Sequence, residues 1–585
     1  MIITVFKLFF YNAFYQYLIM SKIKVLLTTL LLAQFIFSCK KESDITPDDS
    51  SDTQDEVNAL ENMELASDYS WNAADEKVIT LNGTSGTVNG TGASISNGIL
   101  KISSAGTYKI SGTLTNGQIV VSTDDKNLVR VILNGVNVTS AKSSPLFLDN
   151  AEKVIVVLAE GTNNVLTDAS TYSDVSEGQN AAFYSQTYTA IMGTGNLTVT
   201  GKFADGIASK DGLVIKNGNI TVNALDDGIR GKDFLVIRGG NFNVNAGGDG
   251  MKSDNETDTE FGYIGIEDGT FKITSGSDGI SAQTNVNITG GNFNITSGGG
   301  SSKTVAETLS AKGIKGLTSV ALNGSFIINS ADDGIHSNTK VSVFDGVYEI
   351  SSADDGIHAD NEVVIKKGTI NITKAYEGVE AKFITIDDGN ISIVSSNDCL
   401  NATAGNRTEQ NDGAILTING GYLVLNGSAG DPLDSNGSMV QTGGTVIAHG
   451  PNSSPEVPID YNGTFNISGG ILLASAPGTQ MFQAPSTSSK QNSLKLTFKS
   501  QNAAETLFHI KDDKGNSLVT FKPARKYIGI VFSAAELVKG TTYTISTGGT
   551  STGTLNGGLY SGGVYSGGAE KGTFTITSTV TSVSI

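Results

Sequence analysis

Along most of the chain, apolar and polar residues alternate in runs of four to six, as in LVIKNGNITVNA, VNITGGNFNITS and VVIKKGTINITK. A period of two belongs to strands that bury one face. No segment carries a helical period long enough to predict a helix. Between the runs, a turn glycine followed by a large apolar or β-branched residue recurs, as in NGNI, GGNF, DGVY, KGTI and GGIL. Its glycines are Gly195, Gly218, Gly240, Gly269, Gly291, Gly324, Gly346, Gly368, Gly389, Gly421, Gly444 and Gly470. Most steps are 21 to 23 residues, and longer ones such as Gly291 to Gly324 carry insertions like SGGGSSKTVAETLS. A second series alternates with it: Ile207, Ile229, Met251, Ile280, Ile314, Ile335, Ile357, Val379 and Leu400.

One such unit cannot bury its own apolar row, whereas units stacked at a strand spacing of about 4.8 Å can. The pattern therefore predicts an all-β parallel β-helix with one coil per 22 residues or so. A propeller or a sandwich would need longer repeats or another alternation, and neither accounts for ladders of single residues. The recurring glycine is expected to supply positive φ at a corner. Asn196, Asn219, Asn241, Asn292 and Asn390 are expected to form a hydrogen-bonded turn ladder. The β-helix is assigned to residues 76–485 and a β-rich cap to 486–585, where the pattern changes to SLKLTFKSQNAAETLFHIKDDKGNSLVTFKPARKYIGIVFS. Within the cap, GGLYSGGVYSGGAEKG reads as a flexible loop.

The N-terminus reads as an address. Lys22 and Lys24 precede an apolar run from Val25 to Phe37, which has the form of a signal peptide and is too short to span a bilayer comfortably. The run ends in IFSC, which resembles the lipobox of bacterial lipoproteins, with Cys39 as the lipidated first residue. Residues 1–38 are then the signal, with 1–19 upstream of the true start, and 39–75 form a flexible acidic tether. The lysines and acids after Cys39 resemble a surface-export signal, so an outer-membrane lipoprotein is expected, touching the membrane only through its lipid.

Charge narrows the partners. The chain of 585 residues has a formal net charge of −19, and loss of Lys7, Lys22 and Lys24 with the signal makes it −22. Such a surface does not suit nucleic acid, and it suits an acidic polysaccharide only if cations stand between. Two cysteines exclude a disulfide framework. A monomer is expected.

The acids are not scattered. The position before the second-series glycine holds Asp205, Asp227, Asp249, Asp278, Lys312, Asp333, Asp355 and Glu377, continued by Asp398 and Asp431. Asp226, Asp332 and Asp354 add a parallel row. Carboxylates about 5 Å apart repel by roughly 3–4 kcal/mol at an effective dielectric near 20, and by about 1 kcal/mol in water. Outward splay with solvation is one answer, each Asp serving as a turn residue. Neutralisation by Lys312 and by Lys382, placed 22 residues after Asp360, is another. A bound cation is the third, since calcium takes six to eight oxygen ligands. The candidate calcium ligands are Asp332, Asp333, Asp354 and Asp355, with Asp226, Asp227, Asp249 and Asp278 along the same rows. His336 and His358 share one coil position and should stack; zinc needs a few tightly converging ligands, so they are expected as bystanders.

The succession GTYKISGTLTNGQIVVS, VRVILNGVNVTS and GTGNLTVTGKFADGIASKDGLVIKNGNITVNALDDGIRGKDFLVIRGG, with its repeated DGI coils, resembles a family of bacterial carbohydrate-binding β-helix proteins over roughly residues 75–580. The resemblance implies a right-handed parallel β-helix similar to pectate lyases, calcium on the Asp ladder, and binding of plant-wall polysaccharide such as polygalacturonate or cellulose. The ladder matches at Asp205, Asp227, Asp249, Asp278, Asp333 and Asp355, and departs at Lys312 and Glu377. A calcium-dependent lyase is the alternative: β-elimination needs a base, for which Lys312, Lys315, Lys382 or Arg230 are candidates. A structural adhesin is the third reading. Sugar-stacking aromatics are scarce, because the single tryptophan, Trp71, lies in the tether, which leaves Tyr263, Tyr376 and Tyr422.

Overall fold

The computed structural model describes residues 64–173, 178–306, 308–405 and 410–585. Cys39, the expected export signal and the acidic stretch up to residue 63 lie outside the described residues. Among the described residues the chain is all-β apart from two 3-10 turns, Ala66–Tyr69 and Ala73–Asp75, and no helix is long and apolar enough to cross a membrane.

The strands stack in parallel, coil upon coil, in three columns. One runs through Asn219–Ala224, Asn241–Ala246, Thr270–Ser275 and Asn292–Ser297, paired residue for residue. A second runs through Ile229–Gly231, Met251–Ser253, Ile280–Ala282 and Ile314–Gly316. The third runs through Leu213–Ile215, Phe234–Ile237, Tyr263–Ile266 and Asn285–Ile288; its members lack a diagnostic glycine, and the two sequence ladders did not isolate it.

Alternate side chains of every column point inward and form one continuous core. Phe242, Phe271, Phe293, Phe326 and Tyr348 stack within it at centroid distances of 4.9, 4.5, 4.8 and 5.0 Å, the spacing of the strands that carry them. The corner glycines take the expected left-handed φ from Gly218 (+147°) to Gly470 (+82°), but in the first coil Gly193 does so (+109°) rather than Gly195. Of the asparagine ladder, Asn241 donates to Asn219 Oδ1 at 2.8 Å and Asn196 to Asn163 Oδ1 at 2.7 Å, both exposed.

The stack ends where Tyr527–Ser533 pairs antiparallel with Ile471–Ala476, the last strand of the first column. That antiparallel partner halts parallel growth and covers the free edge. A separate antiparallel sheet, including Phe508–Asp512, Ser517–Phe521 and Thr542–Thr547, packs its own core beside it. The glycine-rich segment expected as a flexible loop instead forms short strands: Leu559–Ser561 pairs with Thr554–Asn556, and Tyr565–Ser566 with Thr550–Ser551. Left-handed glycines at 557, 558, 562, 563 and 567 make its tight reversals.

The tether expectation also needs correction at its end. Glu64 binds Arg238, Lys153 binds Asp68, and Arg130 donates to the Asp68 carbonyl at 2.7 Å and lies over the Trp71 ring. Residues 64–75 are thus tied to the coils by charge and aromatic contact.

Candidate functional site: a carboxylate edge

The row of acids before the second-column glycines is not splayed into water. Asp205 is 1% exposed, Asp278 and Asp333 2%, and Asp355 5%. The solvated-turn expectation is therefore wrong, and the backbone shows why. Asp205 Oδ1 accepts the amide of Asp227, Asp227 Oδ1 that of Asp249, and Asp249 Oδ1 that of Asp278, at 3.3, 2.9 and 3.0 Å. The same bond links Asp278 to Lys312 (2.8 Å), Asp333 to Asp355 (3.1 Å) and Asp355 to Glu377 (3.2 Å). Each acid thus ties its own coil to the next.

The adjoining glycine follows from the same close approach. The Gly228 amide bonds the Asp249 carbonyl at 2.8 Å, and a Cβ on Gly228 would stand 2.5 Å from the Gly250 oxygen. A Cβ on Gly334 would stand 2.5 Å from the Gly356 oxygen. The DG pair is therefore a coil-stacking unit.

The second carboxylate oxygen meets a row that sequence reasoning missed. Three residues after each ladder position from Asp227 onward, Lys312 and Val457 included, Arg230, Lys252, Ser281, Lys315, His336, His358, Glu380, Asn401, Asp434 and Asp460 stand in register on successive coils. Reading DGIR, DGMK, DGIS, KGIK, DGIH, DGIH, EGVE, DCLN, DPLD and VPID as a column would have found it. The row changes character along the stack from basic, through histidine, to acidic.

In the basic part the chain neutralises itself. Lys252 bridges Asp227 and Asp249 at 3.0 Å each, Lys315 reaches Asp278 at 3.5 Å, and Arg230 pairs with Asp254 at 2.8 Å and lies 3.7 Å from Asp205. Lys312 Nζ sits 2.8 Å from Asp332 and 2.7 Å from Asp333, so the paired-Asp centre already holds the chain's own ammonium. His336 Nδ1 lies 2.9 Å from Asp333, and His358 Nδ1 3.4 Å from Asp355. The two rings meet edge-on at 5.0 Å. The histidines, expected as bystanders, are partners of the row. Asp226 and Asp354 are exposed and Asp332 half-buried, forming the outer acid row.

Electrostatics follow this division. Burial would push the Asp333 carboxyl up, but His336 and Lys312 hold it well below the usual range. Burial, then Asp227, raises Asp205 to about 7. Asp355 is pushed up by burial and by Asp333 and Glu377, and Glu380 to about 10 by burial and its hydrogen bond with Glu377. Burial also lifts Asp398 to about 7, Asp431 to about 8 and Asp434 to about 9, with neighbouring acids adding to it. Among the described residues, no ion pair reaches Asp398, Asp431 or Asp434. Three clusters there and nearby bring carboxylate oxygens within 4.8 Å of one another: Asp332, Asp333 and Asp354; Asp355, Glu377 and Glu380; and Asp431, Asp434 and Asp460. Such acidic clusters, each with at least one buried carboxylate, are able to hold a metal ion.

The base candidates are ill placed for proton abstraction. Burial would lower the Lys312 pKa, but Asp333 and Asp332 outweigh it and hold the proton on. Arg230 is pinned to Asp254 by two bonds of 3.0 and 2.8 Å. Lys382 lies over the Phe383 ring at 5.2 Å and pairs with no acid among the described residues, so the expected pair with Asp360 does not form. Of the stacking candidates, Tyr263 is buried, Tyr422 donates to the Asn556 carbonyl beneath the cap, and Tyr376 is half exposed.

Comparison with known proteins adds three findings. A family model described as "Carbohydrate-binding domain-containing protein" matches residues 96–356 and 353–495. A protein of Acetivibrio thermocellus with the same description is 43% identical over 136 residues, 23% of this chain and 48% of its own length. The chain thus spans about half the length of that curated relative. A solved structure described as the polysaccharide lyase-like protein from C. thermocellum, a gadolinium derivative, is 33% identical with a TM-score of 0.38, covering 43% of this chain and 100% of its own.

Proposed function

We propose, on the premise that this chain belongs to the carbohydrate-binding domain-containing protein family, that it binds an acidic plant-type polysaccharide through calcium held on the carboxylate edge. The observation that carries this reading is the acid surplus after His358, where the row continues through Glu380, Asp434 and Asp460 with no basic member. Lysine and histidine perform the neutralising task up to that point. Beyond it the task is left to an external cation, and a cation with open coordination also offers positive charge to a polyuronate.

The parallel coils are read as a right-handed parallel β-helix that displays this edge as a long flat face. The clusters of Asp355, Glu377 and Glu380 and of Asp431, Asp434 and Asp460 offer carboxylate oxygens alone, a donor set that favours calcium over zinc. Polygalacturonate, whose carboxylates need a bridging cation, is the preferred ligand, and cellulose is the neutral alternative. The lipobox at Cys39 supports anchoring at the outer-membrane surface.

Sedimentation with insoluble polygalacturonate and with cellulose, each with calcium or with chelator, tests the reading. Retention on polygalacturonate in calcium and release by chelator are expected, with no new ultraviolet absorbance from unsaturated products. Equal retention in chelator would contradict cation bridging, and appearance of that absorbance would replace binding by lyase activity.

A further inference from the structure

The self-neutralised part of the edge carries a cleft of about 340 Å³, lined among others by Glu256, Ser281, Gln283, Leu309 and Lys315. Two insertions build it. The step from Met251 to Ile280 takes 29 residues and that from Ile280 to Ile314 takes 34, against 22 from Ile229 to Met251. The first insertion, at 254–262, follows the second-column strand Met251–Ser253; the second, at 298–313, precedes the second-column strand Ile314–Gly316. They therefore flank that column from opposite sides, at the coil that carries Ile280–Ala282. Lys252, Ser281 and Lys315 share one register position on three successive coils there, so the short serine leaves a notch between two long side chains.

Both walls are fixed by the chain itself. In the first, Asn255 Oδ1 accepts the amides of Thr257 and Asp258 at 2.9 and 3.1 Å, Asn255 Nδ2 donates to Asp233 at 2.7 Å, and Arg230 holds Asp254. In the second, the Ser310 hydroxyl donates to Asp278 Oδ1 at 2.7 Å and accepts from Lys315 Nζ at 3.3 Å. Other polar groups of the cleft are left without such partners. The Ser281 hydroxyl, the Gln283 amide and the Glu256 carboxylate all line it and make no hydrogen bond or ion pair with any described residue. Leu309, 40% exposed, adds an apolar surface to the second wall.

We infer that this cleft is a subsite for a neutral hexose unit of a glycan, bound directly by the chain without calcium. A pyranose presents hydroxyls that donate and accept around its rim, and C–H groups on its faces. Ser281 both donates and accepts, Gln283 offers two donors and an acceptor, and Glu256 offers acceptors alone. Leu309 suits a C–H face. The volume stands at the small end of ligand pockets, about 300–1,000 Å³, and loops on a rigid scaffold are where binding residues concentrate. Charge disfavours a uronate here. Asp249, Asp254, Glu256 and Asp278 line the cleft with only Lys252 and Lys315 against them, and both ammonium groups already serve those acids. No positive charge is left over for a ligand carboxylate, whereas a neutral sugar meets no such cost. The inference rests on the carbohydrate-binding family of the chain for its class of ligand, and not on the calcium bridge, which belongs to the acidic stretch after His358.

Calorimetric titration of cellotetraose, galactotetraose and mannotetraose into the full chain, all in the presence of chelator, tests it. Binding of at least one of them with a Kd of about 10⁻³ M or tighter is expected, with trigalacturonate bound more weakly under the same conditions. Glu256→Ala and Gln283→Ala remove no hydrogen bond within the protein, and each should weaken that binding by roughly threefold to tenfold. Ser281→Leu, which fills the notch, should abolish it in a chain that circular dichroism shows to be folded. No binding of any of the three neutral probes, parental affinity in both alanine variants, or tighter binding of trigalacturonate would overturn the subsite. Polygalacturonate sedimentation in calcium, run on the same variants, separates the two claims. Loss of neutral-sugar binding with polygalacturonate retention unchanged upholds a separate subsite. Neutral-sugar binding in a parent chain that fails to retain polygalacturonate leaves the subsite standing and sinks the calcium bridge.

Discussion

Asp333 performs two tasks with one carboxylate. Its Oδ1 accepts the Asp355 amide of the next coil at 3.1 Å, while its Oδ2 holds Lys312 at 2.7 Å and His336 at 2.9 Å. Removing a buried partner leaves an uncompensated charge, which costs about 3–5 kcal/mol. Asp333→Ala is therefore expected to lower stability by about that much, and to speed hydrogen exchange at the Asp355 amide selectively. Unchanged protection of that amide would show that the carboxylate does not join the coils. Asp333→Asn, which keeps an oxygen acceptor but loses the charge, should fall between the two. The sequence displayed every member of this row but not its burial. In isolation a DG pair is a solvated turn; only the pairing of each coil with its neighbour turns the side chain inward to an amide.

At the scale of elements, the coil length, the glycine corners and two of the three columns were legible, because each leaves one recognisable residue per repeat. The third column carries apolar residues with no fixed marker, and the cap's glycine-rich strands are held by pairing partners distant in sequence. One such long-range bolt is His449, at the end of Thr445–His449. Its Nδ1 accepts the Ala524 amide at 3.1 Å, and its Nε2 lies 2.9 Å from the Gly557 carbonyl, to which it donates as the neutral ring. Protonation at Nδ1 would break the first bond. Burial pushes the imidazole down from 6.5 to about 4, so between those values the unfolded chain takes up a proton that the folded chain refuses. Stability from this group is complete above pH 6.5 and declines as pH falls toward 4, by about 3 kcal/mol at the acid end. The raised carboxyls of the edge act in the opposite sense, gaining stability as pH falls. The readout is accordingly the difference between wild type and His449→Gln: thermal unfolding across this range should show the parent losing more than the variant. Parallel pH profiles would remove His449 from this role.

For the whole molecule, the overall charge was plain from composition, but its arrangement was not. The row three residues after the ladder acids divides the edge into a self-neutralised stretch, from Arg230 to His358, and an acidic stretch, from Glu380 to Asp460. That division moves the expected cation from the paired-Asp coils, where sequence reasoning placed it first, toward the cap. Under the proposed function, a chain with a formal charge of −19 would meet a negatively charged polymer through local attraction from a bound cation, against a long-range repulsion that salt screens. The most direct measurement is calorimetric titration of polygalacturonate oligomers into the chelator-stripped chain at stepped calcium concentrations. No binding heat is expected without calcium, and affinity should rise with calcium until the acidic stretch is filled. Binding of equal affinity at every calcium concentration, chelator included, would contradict cation bridging.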